Sequence, residues 1–111
     1  MSAGGIRNRI TSYRVVKASE LVPTPRAYRR HPERQRRIVG AYVKEVGWIS
    51  PVVARRGGDG SLVIVDGALR ASLHPEAMIP VVVTDLTEAE GSDALLMLDP
   101  TAELAEMDPG P

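Results

Sequence analysis

Apolar residues in this chain come in short runs, the longest only five residues, with prolines and glycines punctuating the spaces between them. Runs of that length suit strands of about five residues and exclude a segment that spans a bilayer. Leu62–Val65 reads as a buried strand, Val52, Val53 and Ala54 as a strand opened by Pro51, and Val81–Val83 as a strand preceded by Pro80. Gly57-Gly58-Asp59-Gly60 between the first two predicts a hairpin over 52–56 and 61–65. Tyr13–Lys17 has strand composition as well.

One long stretch breaks this habit. From Glu33 to Val46, Ile38, Tyr42 and Val46 recur every fourth residue, with Val39 and Val43 widening the stripe. Pro32 suits its first turn and Gly47 its C-cap. Gly40 costs about 1 kcal/mol relative to alanine in mid-helix, which predicts a tight contact there. A second helix is short, from Ala68 to the His74-Pro75 interruption, with Glu76 to Met78 adding one more turn at most. A third starts at a Thr87/Glu90 capping box and runs through Leu98, weakened by Gly91. Strands and helices in this order predict a small α+β domain, a mixed sheet flanked by helices. Its organisation reads as a flexible N-terminal arm over 1–12, a domain over 13–98 and an acidic tail over 99–111.

The 111 residues suit one domain with one modest core. There is no cysteine, which excludes disulfides, thiolate metal sites and thiol catalysis. No secretory signal is present at the start, so a soluble cytoplasmic protein is expected, without membrane contact. Fourteen basic and fourteen acidic residues give zero net charge, but almost all the basic ones precede Gly57, and eleven of the acids lie from Asp59 onwards, where Arg70 is the only basic residue. That asymmetry predicts either an anionic ligand at one end or a homo-oligomer joined through basic and acidic faces.

The stretch LVIVDGALR, Leu62–Arg70, carries the chemistry. A strand passing through Asp66-Gly67 into a helix presents unpaired N–H groups, Gly67 lets an anion approach the backbone, and the Arg70 fork can clamp it. Asp66 either holds a magnesium ion or caps the helix. Two prolines stiffen Pro23-Thr24-Pro25-Arg26 and deliver Arg26 from an extended loop. Arg26, Arg29, Arg30, Arg34, Arg36 and Arg37 form a basic cluster that either lines a nucleotide pocket, touches a nucleic-acid backbone without reading its sequence, or pairs with acids of another subunit. His31 and His74 read as a loop and a helix-end residue, Glu33 and Glu45 as helix-surface acids. No general base stands out, and the sequence leaves open whether the protein is an enzyme.

Five ordered pieces resemble the N-terminal domain of the ParB and sulfiredoxin superfamily, the ParB-like nuclease domain. They are Leu21-Val22-Pro23 with Thr24-Pro25-Arg26, the helix ending at Val46-Gly47, Ile49–Val53, Val65–Ala71, and Ile79–Val83 with Asp85-Leu86-Thr87. The resemblance implies that Gly67 and Arg70 stand at the ends of a G-x-x-R phosphate motif. It also implies that Arg26 belongs to the same site, and that the connector holding Ser50 lies near a nucleotide. Nucleotide or phosphate binding follows, with a nucleoside triphosphate and magnesium as the expected ligands, and hydrolysis or phosphoryl transfer as the expected chemistry. A non-catalytic DNA- or protein-interaction module and a nuclease are the alternatives. Ala68 and Leu69 fill the two middle places where relatives carry polar groups, and no cysteine stands where sulfiredoxin needs one.

Overall fold

The computed structural model describes residues 2–3, 5–24 and 33–98. In chain order the elements are β1 (Ser2–Ala3), β2 (Ile6–Arg7), β3 (Ile10–Lys17), a 3-10 turn (Ala18–Glu20), α1 (Glu33–Val46), β4 (Val52–Arg56), β5 (Leu62–Asp66), α2 (Ala68–Leu73), β6 (Met78–Thr84) and α3 (Glu88–Leu98). β1 and β2 form a small hairpin turned at Gly5. The other four strands make one mixed sheet in the order β3-β6-β4-β5, with β6 antiparallel to β3 and parallel to β4, and β5 antiparallel to β4. This is the α+β domain expected from the element order.

Alternation within the strands divides the sheet into two faces. Val52, Ala54, Leu62, Ile64, Ile79, Val81 and Val83 point to one of them and form the core with Ala18, Leu21, Ala68 and Ala71. Small residues on α2 let its backbone lie close over this face, and α1 packs outside α2. On the other face α3 rests against β5, and a Cβ on Gly91 would lie 3.2 Å from Arg55 Cδ and 3.5 Å from Val65 Cγ2. The glycine read as a weakness in α3 is what allows the helix this close.

The edge beyond β5 is closed by the segment after the 3-10 turn. Val22 bridges Val63 in parallel, its N–H donates to Leu62 O at 2.8 Å, and Ile64 N–H donates to Val22 O at 2.7 Å. At the other side of the sheet, Ala18 N–H donates to Ala77 O at 2.9 Å, which makes Lys17–Met78 and, two residues on, Val15–Pro80 non-hydrogen-bonded pairs of the β3–β6 ladder. Pairing of β6 with β4 starts only at Val81. Pro80 therefore sits inside a strand without costing the ladder a donor, and β6 begins at Met78, two residues before the proline, where the sequence suggested a turn of helix.

Three expectations differ from the structure. Where the sequence suggests a flexible arm over 1–12, the described residues of that stretch hold β1, β2 and the start of β3. Arg9 ties that stretch down by bonding Asp85 and Glu90, and Thr11 Oγ1 donates to Val83 O. Gly40 marks no tight contact, since a Cβ there would meet only Leu73 Cδ1 at an ordinary 3.8 Å. The α1 stripe is also rotated from the one expected. Val39, Gly40 and Val43 are half-buried, whereas Ile38, Tyr42 and Val46 are exposed.

Candidate functional site

At the end of β5 the chain must turn sharply to lay α2 over the core. Gly67 makes that turn with φ +106° and ψ 15°, a left-handed conformation that L side chains rarely adopt. A Cβ there would also stand 2.9 Å from Arg70 Nη2, 3.0 Å from Val52 Cγ2 and 3.3 Å from Val52 Cα. Torsion and space both call for glycine at this position. Asp66 is half-buried at the end of β5, and the N-cap of α2 is Gly67, which has no side chain with which to cap it. Asp66 has an interaction partner of its own.

Arg70, one turn into α2, folds back over Gly67. Its Nη2 donates to Pro51 O at 3.1 Å, which links the turn to the residue that opens β4. Its Nε is buried and has no hydrogen-bond partner among the described residues. A buried guanidinium donor without an acceptor carries a desolvation cost of about 1–3 kcal/mol that an anionic acceptor would relieve. With only six residues, α2 makes fewer than two turns and contributes little dipole. The groups at the turn able to meet an anion are Arg70 and the main-chain N–H groups.

The connector between α1 and β4 borders the same end of the sheet. Gly47 ends α1 with φ +106° and its N–H donates to Val43 O at 2.9 Å, the C-cap expected from the sequence. Trp48 then turns inward, its Nε1 donating to Met78 O at 2.9 Å, and meets the His74 ring edge-on at 6.1 Å between centroids. His74 closes α2 as the residue after its last turn, and its Nε2 is buried without a partner. Ser50 is exposed in the connector, next to the Pro51 carbonyl that receives Arg70. The Trp48–His74 contact joins residues in two loops, and no spacing rule in the sequence announces it.

Arg26, Arg29, Arg30 and His31 lie outside the described residues. Arg34 and Arg37 are exposed on the first half of α1 and Arg36 is half-buried. Among the described residues none of these three is ion-paired; the acids of the second half are met instead by Arg9, which bonds Asp85 and Glu90, and by Lys17, 3.6 Å from Glu76. The charge asymmetry along the sequence is thus partly cancelled inside one chain. The described residues contain no group of three or more His, Asp or Glu side chains able to hold a metal ion. No helix among them is long and apolar enough to cross a membrane.

No family model matches the chain, and no curated protein matches it in sequence. Solved structures do. C-terminally truncated ParB from Caulobacter crescentus, complexed with CTP-γ-S, superposes with a TM-score of 0.66 at 21% identity, over 80% of this chain and 53% of that one. The chain has the ParB/sulfiredoxin fold. A Pnob8-like ParB-N domain gives a TM-score of 0.63 at 18% identity, covering 86% of this chain and 39% of its own. Sulfiredoxin from Arabidopsis thaliana gives 0.60 at 13% identity, covering 78% of this chain and 98% of its own. The chain thus spans about half the length of the ParB structure from Caulobacter and nearly the whole of the sulfiredoxin fold. In this fold the Gly67 turn joins a sheet strand to a helix that covers the core, so its position is set by the scaffold and its chemistry by the side chains placed there.

Proposed function

We propose that this chain is a phosphate- or nucleotide-binding module whose anion site is the Gly67–Arg70 turn. The observation that carries the reading is the Arg70 guanidinium, held over the turn by Pro51 O with a buried Nε left without an acceptor. A neighbour of the same fold binds a CTP analogue, which makes a nucleoside triphosphate the first ligand to test. Arg26 and Ser50 join the reading as further contacts. Magnesium, if it takes part, would be brought by the triphosphate, because the described residues offer no cluster of three or more groups able to hold it. With Ala68 and Leu69 filling the two middle places of the turn, where relatives carry polar groups, the reading is binding and not turnover.

The test is calorimetric titration with ATP, CTP, GTP and ADP, with and without magnesium, using the wild type, Arg70→Ala and Arg70→Lys. The single tryptophan, close to His74, supplies an independent fluorescence readout. Losing one charge-assisted donor costs about 1.5–3 kcal/mol, so Arg70→Ala should weaken binding at least about tenfold. Folded wild-type protein that gives flat traces with all four nucleotides would overturn the reading.

A second reading rests on a different observation: Arg34, Arg36 and Arg37 have no ion-pair partner among the described residues. A neighbour of this fold is complexed to its centromeric DNA site. These arginines would contact a DNA backbone without reading bases. A salt-dependent shift of mixed-sequence DNA, lost in the triple alanine variant and retained in Arg70→Ala, would support it, and retention of the shift in the triple variant would exclude it.

A further inference from the structure

Helix α1 turns an apolar stripe outwards. Ile38, Tyr42 and Val46 are 58%, 48% and 56% exposed, and Ile49, just beyond the helix end, is 73% exposed. The half-buried residues of the same helix are on another edge, that of Val39, Gly40 and Val43, where Gly40 lies against Leu73 of α2. Residues four apart share one face of a helix, so the three side chains form a continuous stripe along the 14-residue helix. A surface helix normally turns such a stripe to the core. Here the core face is already filled by α2, and among the described residues nothing covers the stripe.

We infer that the Ile38–Tyr42–Val46 stripe of α1 is the interface with a second copy of this chain, packed antiparallel across a two-fold axis. The charges beside the stripe select this occupant and this orientation. Arg34 and Glu45 are eleven residues apart, about three helical turns, so both stand on the same flank of the stripe. Parallel pairing across a two-fold axis would turn this flank towards the partner's opposite flank, away from its Arg34 and Glu45. Antiparallel pairing sets each Arg34 against the partner's Glu45, twice over. The apolar contacts ask for the same register. An axis at the level of Gly40 brings Ile38 of one copy onto Tyr42 of the other, and the midpoint between Arg34 and Glu45 falls within one residue of that level. An isologous interface needs a patch complementary to itself, and the stripe with its two flanking charges meets that requirement. This inference does not depend on the nucleotide reading.

A single helix pair is smaller than a standard interface, so the dimer should be a weak one, dissociating at roughly 1–100 μM. The experiment is sedimentation equilibrium of the full chain across that range, with circular dichroism as the check on folding. The wild type should pass from monomer to dimer, and Tyr42→Glu should stay monomeric with an unchanged spectrum. Glu45→Arg should weaken association roughly fivefold, and the double variant Arg34→Glu/Glu45→Arg should recover it. A wild type that remains monomeric up to about 500 μM would overturn the proposal. So would a dimer that Tyr42→Glu leaves intact, which would put the interface elsewhere, or a charge swap that fails to restore what Glu45→Arg removes.

Discussion

Arg9, just before β3, and Glu90, in the first turn of α3, face each other across a bidentate pair: Nη2 to Oε1 at 2.8 Å and Nη1 to Oε2 at 3.2 Å. Glu90 Oε1 also accepts the Thr87 N–H at 2.9 Å, while Thr87 Oγ1 accepts the Glu90 N–H at 3.1 Å, so the carboxylate completes a capping box as well as an ion pair. Hydrogen bonding by Arg9, then by the Thr87 amide, holds the Glu90 carboxyl down to about 2 from its ordinary 4.5. The same contacts, with Asp85, push the Arg9 guanidinium up.

A carboxyl depressed in the folded state stabilises the fold above its unfolded pKa and loses that contribution as it is protonated. For Glu90 the loss spans the fall in pH from about 4.5 to about 2. The melting temperature of the wild type should exceed that of Glu90→Gln at pH 7, and the gap should close across this window. A gap that stays constant from pH 7 to pH 2 would contradict the assignment.

Gly67→Ala should be among the most damaging small substitutions in the chain. It places a Cβ at positive φ, 3.0 Å from Val52 Cγ2 and 2.9 Å from Arg70 Nη2. Strain of this kind costs on the order of 1–3 kcal/mol, readable as a lowered urea midpoint, and displacement of Arg70 should weaken any anion bound at the turn as well.

Gly40→Ala and Gly91→Ala make the same chemical change in two helices with opposite surroundings. At Gly40 the added methyl meets only Leu73 Cδ1 at 3.8 Å, so the variant should gain stability of about 1 kcal/mol from helix propensity. At Gly91 the methyl lies 3.2 Å from Arg55 Cδ, so that side chain must give way and the gain should shrink or reverse. Urea unfolding of both variants tests the ordering.

Ile79→Ala removes a fully buried side chain from the middle of the core. About 2–5 kcal/mol of stability should be lost, with the m-value unchanged if the native sheet persists.

The sequence made the elements legible where a local pattern decides them. Helix α1 spans Glu33–Val46 as its periodicity requires, the β4–β5 hairpin follows its glycine loop, and Thr87 with Glu90 forms the box their spacing implies. It did not reveal which face of α1 is buried, because the apolar stripe and the face against α2 differ by about a third of a turn. Nor did it reveal that Arg9 belongs to the sheet: that depends on acids more than seventy residues away. At the candidate site, Gly67 and Arg70 could be picked out because glycine and arginine each have a distinctive physical role at such a turn. The Pro51 carbonyl and the Trp48–His74 contact are tertiary features without a local signature.

The β3–β6 ladder joins Ile10–Lys17 to partners between Met78 and Thr84. On a ribosome, β3 leaves the exit tunnel long before its partner has been made, and at ordinary elongation rates it waits on the order of several seconds. The β4–β5 hairpin, closed by a five-residue loop, is available first, and β6 must add to it before β3 has a neighbour. Assembly of this sheet therefore runs from its middle outwards and finishes with the strand that was synthesised first, which makes the nascent β3 segment the one most in need of protection from other chains.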